Sequence, residues 1–156
     1  MIGFGYDVHR LQEGESLVLG GVSLESKLGT VAHSDGDVLL HAIMDALLGA
    51  CALGDIGLHF PDTKPEYRGA DSIELLKHVV TLVAAEGMRI VNIDSTVVLE
   101  APRLRPHIDA MRACIAEAMG LEIKRVSIKA TTNERLGFVG REEGIAAYAA
   151  AQLETA

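Results

Sequence analysis

The sequence predicts an α/β fold of the α+β type: a single domain over residues 1–156 in which helices pack on one face of a mixed β-sheet. Two observations predict it. Segments with alternating apolar residues flank segments with apolar residues at helical spacing, in the order β-β-α-α-β-α-β-β. Apolar residues make up 49% of the 156 residues and aromatic residues only 4%, which indicates one aliphatic core.

The first strand is predicted at residues 2–9, IGFGYDVH. Because strand side chains alternate between the two faces, its even-numbered residues share one face and its odd-numbered residues share the other. A second strand is predicted at residues 17–24. The pair Gly20-Gly21 interrupts this second strand, and we expect it to form a hairpin with the first.

The central helix is predicted from Val38 to Leu53. Nearly every side chain in it is apolar or very small, which indicates a helix that is buried on most of its sides. We expect Ser34 or Asp35 to cap it, because short polar side chains accept hydrogen bonds from the free N–H groups of a first turn. Gly54 is predicted to end it.

A polar stripe runs along this helix and consists of Asp37, His41 and Asp45. Their spacing of four residues places them on one line of the helix surface. On a buried helix such a stripe needs partners inside the protein. The alternative is a stripe that simply faces solvent, as on many surface helices.

The rest of the chain alternates between helices and strands. Each predicted helix ends within two residues of a glycine, and each predicted strand carries alternating or β-branched apolar residues. The predicted elements are a helix at 70–85, a strand at 89–99, a helix from Pro106 to Met119, a strand at 124–131, a turn-rich loop at 133–142 and a strand at 144–153.

Composition excludes several classes of protein. The net charge of −8 argues against a nucleic-acid partner. Residues 101–141 nevertheless hold eight Lys/Arg and four Asp/Glu, which is either a chance cluster or a site for a small anion. No apolar run reaches the length of a membrane span and no leader is present, so we expect a soluble, cytoplasmic protein with no membrane partner. Cys51 and Cys114 are predicted to be buried free thiols.

A metal site is indicated by Asp7, His9 and His41. Asp7 and His9 are two residues apart in a predicted strand and therefore project from the same face. Two imidazoles and a carboxylate are a three-ligand set typical of catalytic zinc, which keeps its fourth position open. We expect Asp37 or Asp45 to accept the remaining ring N–H of His41. The alternative is three unrelated polar residues on different elements.

Three further groups of residues point to phosphate chemistry. His33 and Ser34 stand at the entrance of the central helix, where a phosphate is favoured, although an ordinary cap is the alternative. Thr131, Thr132 and Glu134 could bind phosphate oxygens and a hard divalent cation, or could form a polar turn. The segment 101–107 carries two arginines that could bind a nucleotide. The alternative is that they lie in solvent at the beginning of a helix.

Together these residues resemble the 2-C-methyl-D-erythritol 2,4-cyclodiphosphate synthase family of the non-mevalonate isoprenoid route. The matching motifs span nearly the whole chain in one order. They are GFGYDVH at 3–9, AHSDGD at 32–37, HAIMDALLGA at 41–50, LGDIG at 53–57, FPD at 60–62, APR at 101–103, KATTNE at 129–134 and GFVGR at 137–141.

The resemblance implies roles for individual residues. Those that match Asp7, His9 and His41 bind Zn²⁺, and the one that matches Glu134 helps to bind Mg²⁺ or Mn²⁺. The catalytic residues that match His33 and Thr132 stabilise the transition state. The implied substrate contacts are Asp7, Val8, His9, His33, Ser34, Asp55, Ile56, Gly57, Phe60, Pro61, Asp62, Thr63, Lys64, Leu99, Glu100, Ala101, Pro102, Arg103, Leu104, Arg105, Thr131, Thr132, Asn133, Glu134, Phe138 and Arg141.

The resemblance also implies an assembly and a reaction. The assembly is a homotrimer with active sites between subunits and an axial channel that takes an isoprenoid diphosphate near the residue matching Arg141. The reaction converts 4-diphosphocytidyl-2-C-methyl-D-erythritol 2-phosphate into the cyclic diphosphate and CMP. Arg103 stands where many relatives have lysine, and Asn133 where threonine is frequent. Two other classes stay open: a metal-dependent phosphohydrolase, and a non-catalytic trimer that binds isoprenoid diphosphate.

Overall fold

A computed structural model describes residues 1–156 as two sheets and five helices. The strands are β1 (Ile2–Glu13), β2 (Leu17–Leu19), β3 (Val22–Leu24), β4 (Leu28–Val31), β5 (Met88–Val98), β6 (Val126–Thr131) and β7 (Gly144–Thr155). The helices are α1 (Val38–Ala50), α2 (Ile56–His59), α3 (Ser72–Ala85), α4 (Ile108–Met119) and α5 (Gly137–Gly140). None of these helices is both long and apolar enough to cross a membrane.

The main sheet is mixed and has the strand order β4-β1-β7-β5-β6. β7 runs antiparallel to both β1 and β5, and β6 runs parallel to β5. The carboxyl ends of β1, β5 and β6 therefore meet at one edge of the sheet. With strands spaced about 4.8 Å apart, β1 and β6 lie roughly 14 Å from each other along that edge.

Helix α1 packs directly on β1 because β1 has glycines where the two backbones meet. A Cβ added to Gly5 would lie 1.9 Å from the carbonyl oxygen of Ala42, and one added to Gly3 would lie 1.8 Å from that of Ala46. Only a residue without a side chain permits this approach. The close packing brings His41 of α1 against the side chains of Asp7 and His9, which lie on the same face of β1 as the glycines.

The long helices α1, α3 and α4 leave the opposite face of the sheet free, and only the four-residue α5 packs there, through Val139 against Val98 and Ala146. Several large apolar side chains of β1 and β7 are exposed on it: Ile2 is 79% exposed, Phe4 66% and Tyr148 41%. The rings of Tyr6 and Tyr148 have centroids 5.0 Å apart on this face. We call the exposed side chains of Ile2, Phe4, Tyr6, Val8 and Tyr148 the bare face. Packing of the long helices on one face of a mixed sheet is thus confirmed, with the short α5 as the exception.

Several predicted boundaries were wrong. The segment 17–24 forms its own two-stranded sheet, β2–β3, and the strand that pairs with β1 in its place is β4, which was not predicted. The main helix α1 ends at Ala50, short of Leu53.

The two cysteines are free as predicted, but each is only half-buried.

The cap of α1 was also predicted wrongly. Asp37, and neither Ser34 nor Asp35, caps the helix by accepting the N–H of Leu40 at 3.1 Å. Its fully buried carboxylate also accepts the N–H groups of Gly20 at 3.0 Å and Gly21 at 2.8 Å, and so ties the β2–β3 turn to the helix. Asp37 is therefore the cap because its carboxylate is within hydrogen-bond distance of all three N–H groups, those of Leu40, Gly20 and Gly21.

We predict that Asp37→Asn lowers the free energy of unfolding at pH 7 by about 1–3 kcal/mol, because the amide NH₂ faces N–H donors. Burial raises the pKa of Asp37 to about 6, although its three N–H partners oppose the shift. The stability gained by protonation is complete below about pH 3.9 and is lost as the pH rises through the folded pKa. In urea unfolding, the wild-type advantage over the variant should therefore widen from pH 7 to pH 4. An advantage that narrows would contradict the assignment.

Candidate metal centre and active-site cavity

Asp7, His9 and His41 converge at one point. Asp7 Oδ2 lies 3.0 Å from His41 Nδ1 and 3.1 Å from His9 Nε2, and the two ring nitrogens lie 3.1 Å apart. His41 is buried, whereas Asp7 and His9 are partly exposed on the cavity side. The predicted meeting of an early strand and the central helix around three ligand atoms is confirmed by this geometry.

The three atoms fit a tetrahedral metal site. Bonds of zinc length separate the ligand atoms of such a site by about 3.3 Å, close to the distances found here. Two imidazole nitrogens and one carboxylate oxygen form a donor set that divalent zinc accepts readily, and three protein ligands leave a fourth position for another group. The residues therefore fit a divalent metal ion.

The charge state of Asp7 suits this role. Burial alone would raise the pKa of its carboxyl, but the polar and electrostatic interactions of Asp7 with the side chains of His41 and His9 outweigh that effect. They hold the pKa of Asp7 well below its usual range. The carboxylate is therefore ionised at neutral pH and ready to bind a cation.

The partners of the other His41 nitrogen differ from those we predicted. Asp37 is occupied by the turn at Gly20, and Asp45 accepts the N–H of Ile56 at 2.8 Å. His41 Nε2 instead lies 3.1 Å from the Oγ of Ser72 and 3.2 Å from the Oγ of Ser34. The polar stripe thus faces inward, but the partners of His41 are two serines from outside the stripe and not its own Asp37 or Asp45.

A cavity of about 370 Å³ opens beside the three ligands. The predicted contacts that line it come from three places: the strand β1, the entrance of α1 and the segment around α2. They are Asp7, His9, His33, Ser34, Ile56, Gly57, Phe60, Pro61 and Asp62. Ala32, Met44, Tyr67 and Leu75 also line it and were not predicted.

The segment 55–70 is held over this cavity by specific contacts. Asp55 caps α2 by accepting the N–H of Leu58 at 3.0 Å. The ring of Phe60 makes an edge contact with that of Tyr67, with centroids 5.5 Å apart. His33 Nε2 lies 3.3 Å from the carbonyl oxygen of Lys64. His33 is thereby placed at the mouth of the cavity.

Four of the remaining predicted contacts, Val8, Asp55, Thr63 and Lys64, do not line the cavity, and the others form a second group that begins at the ends of β5 and β6, which we call the distal group. The N–H of Leu99 donates to the carbonyl of Thr131, and Glu100 accepts the N–H groups of Asn133 and Arg135. The distal group comprises 99–105 and 131–134 at these strand ends, with Phe138 and Arg141 from the segment that leads to β7; Phe138 lines a second hollow together with Val8 and His9. It does not line the cavity of its own chain, and Thr131 through Glu134 are exposed.

Sequence reasoning missed Ser72, which contacts His41, and the role of Asp35 as the partner of Ser72. Ser72 is fully buried at the start of α3, and Asp35 accepts its hydroxyl at 2.5 Å. The only available signal was a serine at the predicted beginning of a helix, which ordinarily reads as a cap.

Comparison with known proteins agrees with this geometry. The YgbB family matches residues 1–154. The 2-C-methyl-D-erythritol 2,4-cyclodiphosphate synthase of Pseudomonas aeruginosa is 61% identical over 152 residues, which are 97% of each chain. The similarity therefore extends over nearly the whole length of both proteins.

Solved structures share the fold. The bifunctional IspDF from Campylobacter jejuni is 43% identical with a TM-score of 0.96, and the match covers 99% of this chain and 42% of that longer one. A 2C-methyl-D-erythritol-2,4-cyclodiphosphate synthase in a CDP-bound form is 40% identical with a TM-score of 0.91, covering 99% of this chain and 100% of the other. None of these three proteins is named as a phosphohydrolase or as a non-catalytic binding protein, so neither alternative class is supported. The chain belongs to the YgbB family, that of the 2-C-methyl-D-erythritol 2,4-cyclodiphosphate synthases.

Proposed function

We propose that the chain, as one synthase domain over residues 1–156, converts 4-diphosphocytidyl-2-C-methyl-D-erythritol 2-phosphate into 2-C-methyl-D-erythritol 2,4-cyclodiphosphate and CMP. It acts as a phosphorus–oxygen lyase in non-mevalonate isoprenoid precursor biosynthesis, with the cytoplasm as its expected location. The observation that carries the proposal is the convergence of Asp7, His9 and His41 within 3.1 Å of one another at the wall of a cavity.

The reaction is an intramolecular phosphoryl transfer. An oxygen of the 2-phosphate attacks the β-phosphorus, the bond from that phosphorus to the bridging oxygen breaks, and CMP leaves with the electron pair. The substrate carries its own nucleophile, so the chain needs no reactive serine or cysteine. Its residues instead align the two phosphates and neutralise the charge that builds between them.

Individual residues take the following roles. Zn²⁺ on Asp7, His9 and His41, with Mg²⁺ or Mn²⁺ at Glu134, would neutralise and polarise phosphate oxygens. His33 and Thr132 donate hydrogen bonds to the charge that develops in the transition state. The cavity residues around Ser34 and Phe60 hold the methylerythritol part, and the distal group holds the nucleotide.

A homotrimer explains how these two parts meet. Thr131 to Glu134 of the distal group, at the end of β6, lie roughly 14 Å along the sheet edge from the metal ligands of their own chain, by the spacing of strands. A neighbouring copy that packs against the bare face brings its distal group to the cavity of the first. The side chains of Phe4 and Tyr6 then become buried around a central channel, with Arg141 near its mouth, where an isoprenoid diphosphate can bind.

We predict that sedimentation equilibrium gives a mass three times the 16.6 kDa of one chain. Phe4 is 66% exposed on the bare face, so Phe4→Asp should dissociate the assembly by placing a charge in the buried interface. Glu25→Asp, at an exposed position away from the bare face, serves as the control and should leave the mass unchanged. A wild-type mass equal to one chain would contradict the trimer.

The reaction is tested by incubating the metal-loaded protein with the nucleotide substrate. Phosphorus NMR should show a ring diphosphate, and chromatography should show one CMP for each ring formed. A phosphohydrolase would release inorganic phosphate without a ring. A non-catalytic binding protein would yield neither product, and chelation would melt its assembly. Metal content per chain, measured on the same sample, tests the ligand assignment separately.

A further inference from the structure

We infer that Asp35 and Ser72 are positioning residues that hold the proton of His41 on Nε2 and thereby aim a lone pair of Nδ1 at the metal. The inference rests on the proposed metal site. It concerns two residues that touch neither the cavity nor the metal ligand atoms Asp7 Oδ2 and His9 Nε2.

The three residues form one chain of contacts. Ser72 Oγ lies 2.5 Å from Asp35 Oδ1 and 3.1 Å from His41 Nε2. Asp35 also accepts the backbone N–H of Ser72 at 2.9 Å, so its carboxylate is fixed at the first turn of α3. Because Ser72 is fully buried, no solvent competes for its hydroxyl.

The direction of these hydrogen bonds follows from the number of protons available. A serine hydroxyl has one proton, and a separation of 2.5 Å is typical of a hydroxyl that donates to a carboxylate. The Ser72 proton is therefore used on Asp35, and only lone pairs of Oγ face His41. His41 Nε2 must be the donor of that contact, and in a neutral imidazole the proton is then absent from Nδ1.

Ser34 does not decide this arrangement. Its Oγ lies 3.2 Å from His41 Nε2 and accepts the N–H of Gly36 at 3.3 Å. The hydroxyl proton of Ser34 has no fixed acceptor and rotates to suit its neighbours, so this contact tolerates either tautomer. Asp35 acting through Ser72 is therefore the group that selects one.

The position of this proton determines how His41 Nδ1 and Asp7 Oδ2 interact. With its proton on Nε2, His41 turns a lone pair of Nδ1 toward Asp7 Oδ2, only 3.0 Å away. Two lone pairs at that distance repel each other unless a cation lies between them. The pair Asp35–Ser72 thus makes this corner a cation site instead of an internal hydrogen bond.

Two variants test the inference. In Asp35→Asn the amide NH₂ donates to Ser72 Oγ, which frees the Ser72 proton to point at His41 and favours a proton on Nδ1. In Ser72→Ala the acceptor of the Nε2 proton is removed. We expect each variant to bind Zn²⁺ roughly 10–100-fold more weakly in competition with a chromophoric chelator, the range typical for groups that orient a metal ligand.

Long-range ¹H–¹⁵N NMR of the chelated protein reads the tautomer directly. We expect His41 to carry its proton on Nε2 in the wild type and to gain protonation on Nδ1 in Asp35→Asn, a change that loosened packing alone does not produce. The matched control is Asp71→Ala, which removes the cap that accepts the N–H of Ile73 at 2.9 Å at the same end of α3 and does not touch His41. It should keep the wild-type tautomer and zinc affinity.

The outcomes separate this inference from the proposed function. Wild-type zinc affinity and an Nε2 proton in both Asp35→Asn and Ser72→Ala would overturn the positioning role, as would an equal loss of affinity in Asp71→Ala. A wild type that binds no zinc overturns the proposed metal site. In that case the tautomer in the wild type and Asp35→Asn still decides whether the pair controls His41.

Discussion

The variant His41→Ala is expected to bind no zinc and to lose CMP release by about 1000-fold or more. His41 is the one ligand that comes from α1, and without it only Asp7 and His9 of β1 remain at the site. A bound metal contributes several kcal/mol to the neutralisation of phosphate charge, and each 1.4 kcal/mol is about a tenfold change in rate. Metal content by plasma mass spectrometry and CMP formation by chromatography measure the two effects.

His107→Ala is the control for this experiment. His107 lies in the short turn before α4 and touches neither the cavity nor the ligands, so metal content should stay at the wild-type level. If His41→Ala retains one metal per chain, or turns over as fast as the wild type, then the assignment of His41 as a ligand is wrong.

The variant Gly5→Ala is expected to destabilise the fold by about 3 kcal/mol or more, at the upper end for overpacking. The added methyl carbon would lie 1.9 Å from the carbonyl oxygen of Ala42, a backbone atom that cannot rotate away. Helix α1 must then move off β1, and His41 moves away from Asp7 and His9. Urea unfolding should show the loss of stability, and chelator competition should show weaker zinc binding in the fraction that still folds.

Gly49→Ala is the matched control on α1, the helix that packs against Gly5. The nearest atom to its added methyl carbon is the carbonyl oxygen of Phe4 at 4.0 Å, which is ordinary contact. Because alanine has the higher helix propensity, the variant should be as stable as the wild type or more stable by up to about 1 kcal/mol. An unchanged free energy of unfolding in Gly5→Ala would show that the packing of α1 on β1 does not require a glycine at this position.

The sequence predicted the strands and helices well where the apolar pattern is long. β5, β7 and α3 carry such patterns, and their boundaries agree within about two residues. β4 escaped prediction because it has only four residues, Leu28–Val31, and one of them is a glycine. Its position comes from pairing with the far end of β1, a contact between residues distant in the chain.

Local pattern also could not tell which face of β1 is buried. The alternation separates the even-numbered residues from Gly3, Gly5, Asp7 and His9, and apolar content favours burial of the even-numbered set. The structure buries Gly3 and Gly5 and exposes Ile2 and Phe4. Helix α1 determines which face of β1 is buried, because its backbone packs directly against Gly3 and Gly5.

Asp7, His9 and His41 could be proposed as a metal site from the sequence alone. A D-x-H pair in a strand and a histidine on a buried helix are local features, because strand alternation and helical periodicity fix where each side chain points relative to its own backbone. The family resemblance added the remaining roles. What local pattern could not supply is the partner of each polar group, since Asp37 serves a distant turn and Asp35 serves α3.

The amino-acid sequence by itself therefore determined most of the elements, the ligand types and the family of this protein. Only the tertiary structure decided that three ligand atoms lie within 3.1 Å, that Ser72 stands behind His41, and that the distal group is separated from the cavity of its own chain. The physical reason is that periodicity orients a side chain on its own helix or strand. Distances between elements depend instead on how closely their backbones pack, and here the glycines of β1 set that distance.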